Sequence, residues 1–322
     1  MSAKDIIILS IFLTVLIERS FEYCSTEEKS NRHYGTYTSY DNSFEESQLT
    51  NLNSNVTMIY FIGRHGSRQE SGSGIRNWRK YLPELQEILE KNQLAVDVCR
   101  EDIESIINWK LNISIKDSYK LLEIGKNEQK SIAKRLLIKF PRFFNNLRNV
   151  EQLDFQSSNT DRTYQSAYEF LSTIFKGRNI SFNIKRSRKS DNLIRSYKNF
   201  DPSYTKRSEK IQLKIENFLK SDEIQEILKS IPMVTNLNLD FHPQLLLTIW
   251  RSCAYEYLSL ESSPWCAVFN DKVLKILEFL DDARYYNLQG YGLSPAQKSA
   301  CVIIRDVWEN IHLSKAGMYL LL

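Results

Sequence analysis

The run Val56-Thr-Met-Ile-Tyr-Phe-Ile62 is dominated by β-branched and aromatic side chains and stops at Gly63. That pattern reads as a buried strand. Directly after it stands Gly63-Arg64-His65-Gly66-Ser67-Arg68. The C-terminal end of a buried strand is where α/β folds place their chemistry. Glycines let the backbone approach a ligand closely. Guanidinium forks bind oxyanions in pairs of hydrogen bonds and keep their charge at any working pH. Cations flanking His65 also disfavour its protonation, as an imidazole nucleophile requires. The chemistry suggested is attack by His65 on phosphorus, giving a phosphohistidine, with arginines holding the charge on the equatorial oxygens.

The rest of the chain builds a frame around that loop. Helical periodicity is read at 81–91 and again at 126–139, where Ile132, Ala133, Leu136 and Leu137 share one face. Leu153-Asp-Phe-Gln-Ser157 reads as a second strand feeding a helix over 163–175, and 180–184 alternates as a third strand candidate. From about 205 onward the pattern is helical. Pro243 opens one helix, with Leu245, Leu246, Ile249, Trp250 and Cys253 on a stripe; Val273, Ile276, Leu277 and Leu280 stripe the next, and the last covers 298–311. Strand–helix alternation followed by a helical block predicts an α/β sheet flanked by helices, with an α-helical subdomain over about 205–290.

Composition narrows the class. The 322 residues are 42% apolar and 25% charged, with 43 Lys+Arg against 39 Asp+Glu. These values exclude a disordered chain and a small disulfide scaffold. Ile6–Ile17 is the longest apolar stretch; as a helix it reaches roughly 18 Å, short of the roughly 30 Å hydrocarbon core of a bilayer. We read 1–24 as a signal peptide, an uncleaved membrane anchor being the alternative that would associate the chain with a membrane. Residues 25–55 lack periodicity and are expected to form a low-order extension, and 56–322 form the globular domain. Entry to the secretory pathway gives meaning to the sequons at Asn55, Asn112 and Asn179 as glycosylation acceptors. It also allows two disulfides among Cys99, Cys253, Cys266 and Cys301, in any of three pairings. The closeness of Cys253 and Cys266 suggests a loop-closing pair. The histidines and cysteines show no metal-ligand spacing. Lys185–Lys210 carries nine basic residues against three acidic ones, a face that would steer polyanions or simply be solvated. Aromatics interleave there, but no RNA-binding motif accompanies them and no nucleic acid partner is expected. No oligomeric state follows from the sequence.

Arg64-His65-Gly66-x-Arg68 after a strand resembles the signature of the histidine phosphatase superfamily, in its acid phosphatase and phytase branch. Leu121-Leu-Glu-Ile-Gly125-Lys-Asn-Glu128 is similar to that branch's Leu-Thr-x-x-Gly-x-x-Glu segment. Ser158-Asn-Thr-Asp-Arg162-Thr-x-x-Ser166-Ala resembles its second arginine motif. Cys253, Ser263-Pro-Trp-Cys-x-Val-Phe269 and Gly290-Tyr-Gly292 resemble segments of multiple inositol polyphosphate phosphatases, and the likeness spans roughly 56–311. The resemblance implies His65 as nucleophile, Arg64, Arg68 and Arg162 as phosphate clamps, and a Cys253–Cys266 disulfide. It implies no metal or cofactor, and small-molecule substrates: phytate, lower inositol polyphosphates and 2,3-bisphosphoglycerate. Two departures stand out. Gln69-Glu70 occupies the place of the family's usual proline, which should alter loop rigidity more than chemistry. The family's His-Ala-Glu or His-Asp motif, which supplies a further histidine and the general acid, has no counterpart before Leu322. The sheet is therefore expected to lack a strand beside the nucleophile's strand. The chain is read as a shortened form of an active parent, the alternative being a phosphate-binding pseudoenzyme or inactive isoform.

Overall fold

The computed structural model describes residues 33–40, 55–92, 99–147, 153–188, 193–194, 201–231, 243–290, 294–312 and 317–321. Among the described residues, four parallel strands form one sheet: β1 (Met58–Ile62), β2 (Leu153–Ser157), β3 (Lys185–Arg186) and β4 (Gly317–Leu321), in the order β1-β4-β2-β3. Side chains alternate across it, as the two-residue period of a strand dictates. Ile59, Phe155, Met318 and Leu320 are buried on one face, and Phe61 stacks on Phe170 with ring centroids 4.9 Å apart. Tyr60 and Tyr319 stack on each other on the opposite face, where the Tyr60 hydroxyl donates to the Asp306 carboxylate.

Helices α1 (Gly72–Lys91), α2 (Arg100–Ile107), α3 (Glu123–Lys139), α4 (Pro141–Asn146) and α5 (Asp161–Ile174) alternate with the first strands. Helices α6 (Tyr204–Leu219), α7 (Asp222–Leu228), α8 (Pro243–Leu260), α9 (Asp271–Gln289) and α10 (Ser294–His312) follow. The α/β layer with a helical block is as expected. The core falls into two clusters. One joins the sheet to α3, α4 and α5; the other joins α1 and α2 to α6 through α9. The helical half thus draws on 72–107 as well as on 204–289. Among the described residues no helix is long and apolar enough to cross a membrane.

Several expectations change. The strand beside β1 is present: Gly317–Leu321 pairs in register along all of β1, Met58 with Gly317 through Ile62 with Leu321, and also pairs with β2. This corrects the expected missing strand, whose signal was five residues without turn chemistry to frame them. The third strand forms at Lys185–Arg186, just past the alternating 180–184, because only there does the chain reach Gln156 and Ser157 of β2. Helix α1 begins nine residues before the sequence expectation. Ser71 caps it, accepting from the Gly74 amide; Gly72 and Gly74 masked its helical period, and Gly74 packs against the Glu70 side chain. Residues 33–40, expected to be of low order, are packed: Tyr34 is buried, its hydroxyl donating to Cys266 Sγ at 3.6 Å, and Gly35–Tyr37 forms a 3-10 turn on α9. The signal peptide and the rest of the extension apart from Asn55 lie outside the described residues. Cys253 and Cys266 are disulfide-bonded. Cys99 is also disulfide-bonded while Cys301 is free, so those two do not pair with each other.

Candidate active site

The loop 63–70 leaves the C-terminal end of β1 and is fixed from three sides. From α3, Gly125 presses so closely that a Cβ on Gly66 would lie 2.0 Å from the Gly125 carbonyl oxygen, and one on Gly125 would lie 2.1 Å from the Ser67 carbonyl oxygen. Only a glycine pair permits that approach. One turn later in α3, the buried Glu128 carboxylate accepts from the Ser67 amide at 2.7 Å and from its hydroxyl at 2.8 Å, while Gln129 donates to the Arg64 carbonyl. From α5, Ser166 Oγ accepts from the Gly66 amide at 3.1 Å and donates to the Arg162 carbonyl at 2.7 Å. The third side is the segment 119–122, which exchanges backbone hydrogen bonds with the loop: Gln69 to Lys120, Leu122 to Ser67, and Tyr119 to Glu70.

This frame presents the histidine. His65 Nδ1 lies 2.8 Å from the Gly66 carbonyl oxygen, which can only accept, so Nδ1 carries the proton and Nε2 keeps its lone pair. Burial does most to lower the His65 pKa, to about 4; the Gly66 carbonyl is the next influence and pulls it upward, while the charges of Arg162, Arg64 and Arg68, in that order, lower it further. The imidazole is therefore neutral and nucleophilic at any pH above that value. Arg162 acts on His65 from the second turn of chain that reaches this edge of the sheet, where β2 ends and α5 begins. Thr163 fixes that turn by donating to the Ser158 and Thr160 carbonyls.

The guanidiniums of Arg68 and Arg162 converge on one aromatic ring, lying 5.0 Å and 5.5 Å from the centroid of Tyr119. Arg68 is held further by its own neighbour's carbonyl, Gln69, at 2.8 Å and by the Tyr255 hydroxyl at 3.3 Å. Arg64 is exposed at the mouth. A cavity of about 470 Å³ opens beside His65, walled by Arg64, Arg68, Glu128, Tyr255 and, from the N-terminal segment, Thr36, Thr38 and Tyr40. Thus all four residues named from the sequence meet at one edge of the sheet.

A profile of the histidine phosphatase superfamily (branch 2) matches residues 55–318. The chain belongs to that family. Among curated proteins it is similar to multiple inositol polyphosphate phosphatase 1 of Homo sapiens, 25% identical over 275 residues that cover 81% of this chain and 55% of that protein. It is likewise similar to the Drosophila melanogaster protein of the same name, 23% identical over 327 residues, covering 95% and 68%. The chain spans about half the length of the human relative and 42% of that of the Gallus gallus one. Two solved structures share the fold. The phytase from D. castellii matches with a TM-score of 0.58 at 13% identity, covering 81% of this chain and 57% of that one. The Bifidobacterium longum multiple inositol polyphosphate phosphatase, complexed with inositol hexasulfate, matches with a TM-score of 0.54 at 12% identity, covering 90% and 77%.

Sequence reasoning did not find three residues in this branch 2 site. Tyr119 and Tyr255 touch the arginines but sit in no motif. Glu70, which with Gln69 was expected to alter loop rigidity more than chemistry, is buried and accepts from the Ser71 amide at the start of α1. The basic face is less free than its composition suggests: Lys185, Arg186 and Arg207 pair with Asp154, Asp161 and Asp201. Lys189, Arg195 and Lys198 lie outside the described residues.

Proposed function

We propose that the chain is a phosphomonoesterase acting on inositol polyphosphates such as phytate, with 2,3-bisphosphoglycerate as a further substrate, through a phosphohistidine on His65. The observation that carries this reading is the neutral His65, with Nε2 unprotonated, within the field of Arg64, Arg68 and Arg162. In the first step Nε2 forms a bond to phosphorus as the ester P–O bond breaks, and the leaving oxygen takes a proton from solvent water. In the second, water attacks phosphorus, the P–N bond breaks, and inorganic phosphate leaves. Arg68 and Arg162 hold the equatorial oxygens through both steps. The relatives' names supply the substrate class; the 470 Å³ cavity has room for a ring bearing several phosphates. Phosphate release from inositol hexakisphosphate tests the reading: wild type releases it and His65→Ala does not.

A second reading has its own support. The one acid among the described residues walling the cavity, Glu128, has both carboxylate oxygens occupied by the Ser67 and Tyr40 groups it accepts from. That leaves it poorly placed to protonate a leaving alkoxide, whose protonation by a positioned acid is typically worth about 10²- to 10⁴-fold. A chain that binds phosphates but turns over poorly raises its melting temperature with inositol hexakisphosphate while releasing nothing. For location we infer the secretory pathway. The Cys253–Cys266 disulfide and the solvent-exposed side chains of Asn55, Asn112 and Asn179 support it, and a mass shift on glycosidase treatment of secreted material tests it.

A further inference from the structure

Tyr119 is one of two non-glycine residues among those described with a positive φ, at 63°, and 44% of its surface is exposed. A bulky residue gains nothing locally from a left-handed backbone that glycine adopts freely. Its backbone is nonetheless held there, its amide donating to the Glu70 carbonyl at 3.1 Å while Lys120 accepts from Gln69 at 2.8 Å. The result places the ring against the guanidiniums of both Arg68 and Arg162. Those two cations repel each other before an anion arrives, and each is attracted to the electron-rich face of an aromatic ring.

We infer that Tyr119 is a positioning residue for the oxyanion site: its ring gathers Arg68 and Arg162 before phosphate binds. The inference rests on the reading that those two arginines hold the phosphate. An anion entering a pre-gathered pair loses less affinity to ordering the side chains than one that must collect them from solvent.

The test is calorimetric titration of the full chain with inorganic phosphate, beside thermal melting without ligand. Tyr119→Phe, which keeps the ring, binds within about twofold of wild type, whereas Tyr119→Leu and Tyr119→Gly weaken binding roughly tenfold. Tyr119→Gly at the same time melts no lower than wild type, since glycine accepts the backbone conformation without strain. Wild-type affinity in Tyr119→Leu and Tyr119→Gly, with binding lost in the Arg68→Ala/Arg162→Ala double variant, overturns the inference and leaves the proposed function standing. Equal weakening in Tyr119→Phe overturns it too, because the hydroxyl and not the ring face is then the contact. Phosphate binding unchanged in the double arginine variant overturns the proposed function and this inference with it.

Discussion

His65 is set by what surrounds it within a few ångströms: a carbonyl that fixes its tautomer, burial that disfavours its charge, and three guanidiniums that disfavour it further. The direction has two consequences. In the unfolded chain this histidine titrates near its ordinary value of 6.5, and in the folded chain near about 4. Between those values the unfolded state binds more protons, so His65 withdraws stability as pH falls from 6.5 toward 4 and is neutral in its effect above. Melting temperature against pH checks this: His65→Gln flattens the profile across that window. Catalysis follows the same sign. The acid limb of kcat/KM attributable to His65 lies near pH 4, and Arg162→Ala moves it upward by removing the largest of the lowering charges. The arginines contribute to turnover more directly; Arg68→Ala or Arg162→Ala each lowers kcat/KM by about 10²- to 10³-fold, by analogy with the loss of one oxyanion donor.

At the scale of elements, the site depends on how closely α3 and the loop after β1 approach. A methyl at Gly66 or Gly125 would meet backbone oxygen at about 2 Å. Backbone has no rotamer with which to give way, so Gly66→Ala costs on the order of 1–3 kcal/mol or more, read as a lower melting temperature and weaker phosphate binding together. This contact was half legible in the sequence. Glycine at 66 and at 125 stood in two separate motifs, and nothing in either says that they meet. Strands β1 and β2 and the longer helices were readable because burial on a fixed period leaves a pattern. The strand at 317–321 was not, because five residues without framing turns carry no period and acquire strand geometry only from β1 and β2 on either side. Tyr119 and Tyr255 were illegible for a related reason: each acts through a tertiary contact, and neither spacing nor composition encodes one.

Among the described residues two cores meet across the site, and the segment 33–40 bridges them. His33 pairs with Glu278 of α9 at 2.7 Å, Tyr34 packs on the disulfide, and the Tyr40 amide donates to the same Glu128 that holds Ser67. The nucleophile's loop is thereby tied, through Glu128, to a segment anchored on the helical half. The Cys253–Cys266 bridge lies at the base of that anchor, closing a short loop between α8 and the 3-10 turn Pro264–Val268. Cys253→Ala/Cys266→Ala is expected to lose about 2–4 kcal/mol of stability, measured by denaturant unfolding. It should do so without changing phosphate affinity where the protein remains folded, because neither sulfur touches the cavity.

The central claim is that one imidazole takes the phosphoryl group. Rapid acid-free quenching of a turnover mixture with inositol hexakisphosphate, followed by peptide mass mapping, reads it directly. The account requires a base-stable, acid-labile phosphoryl group on residue 65, absent from His65→Ala. Phosphate release that persists in His65→Ala, or a phosphoryl group recovered on another side chain, contradicts it.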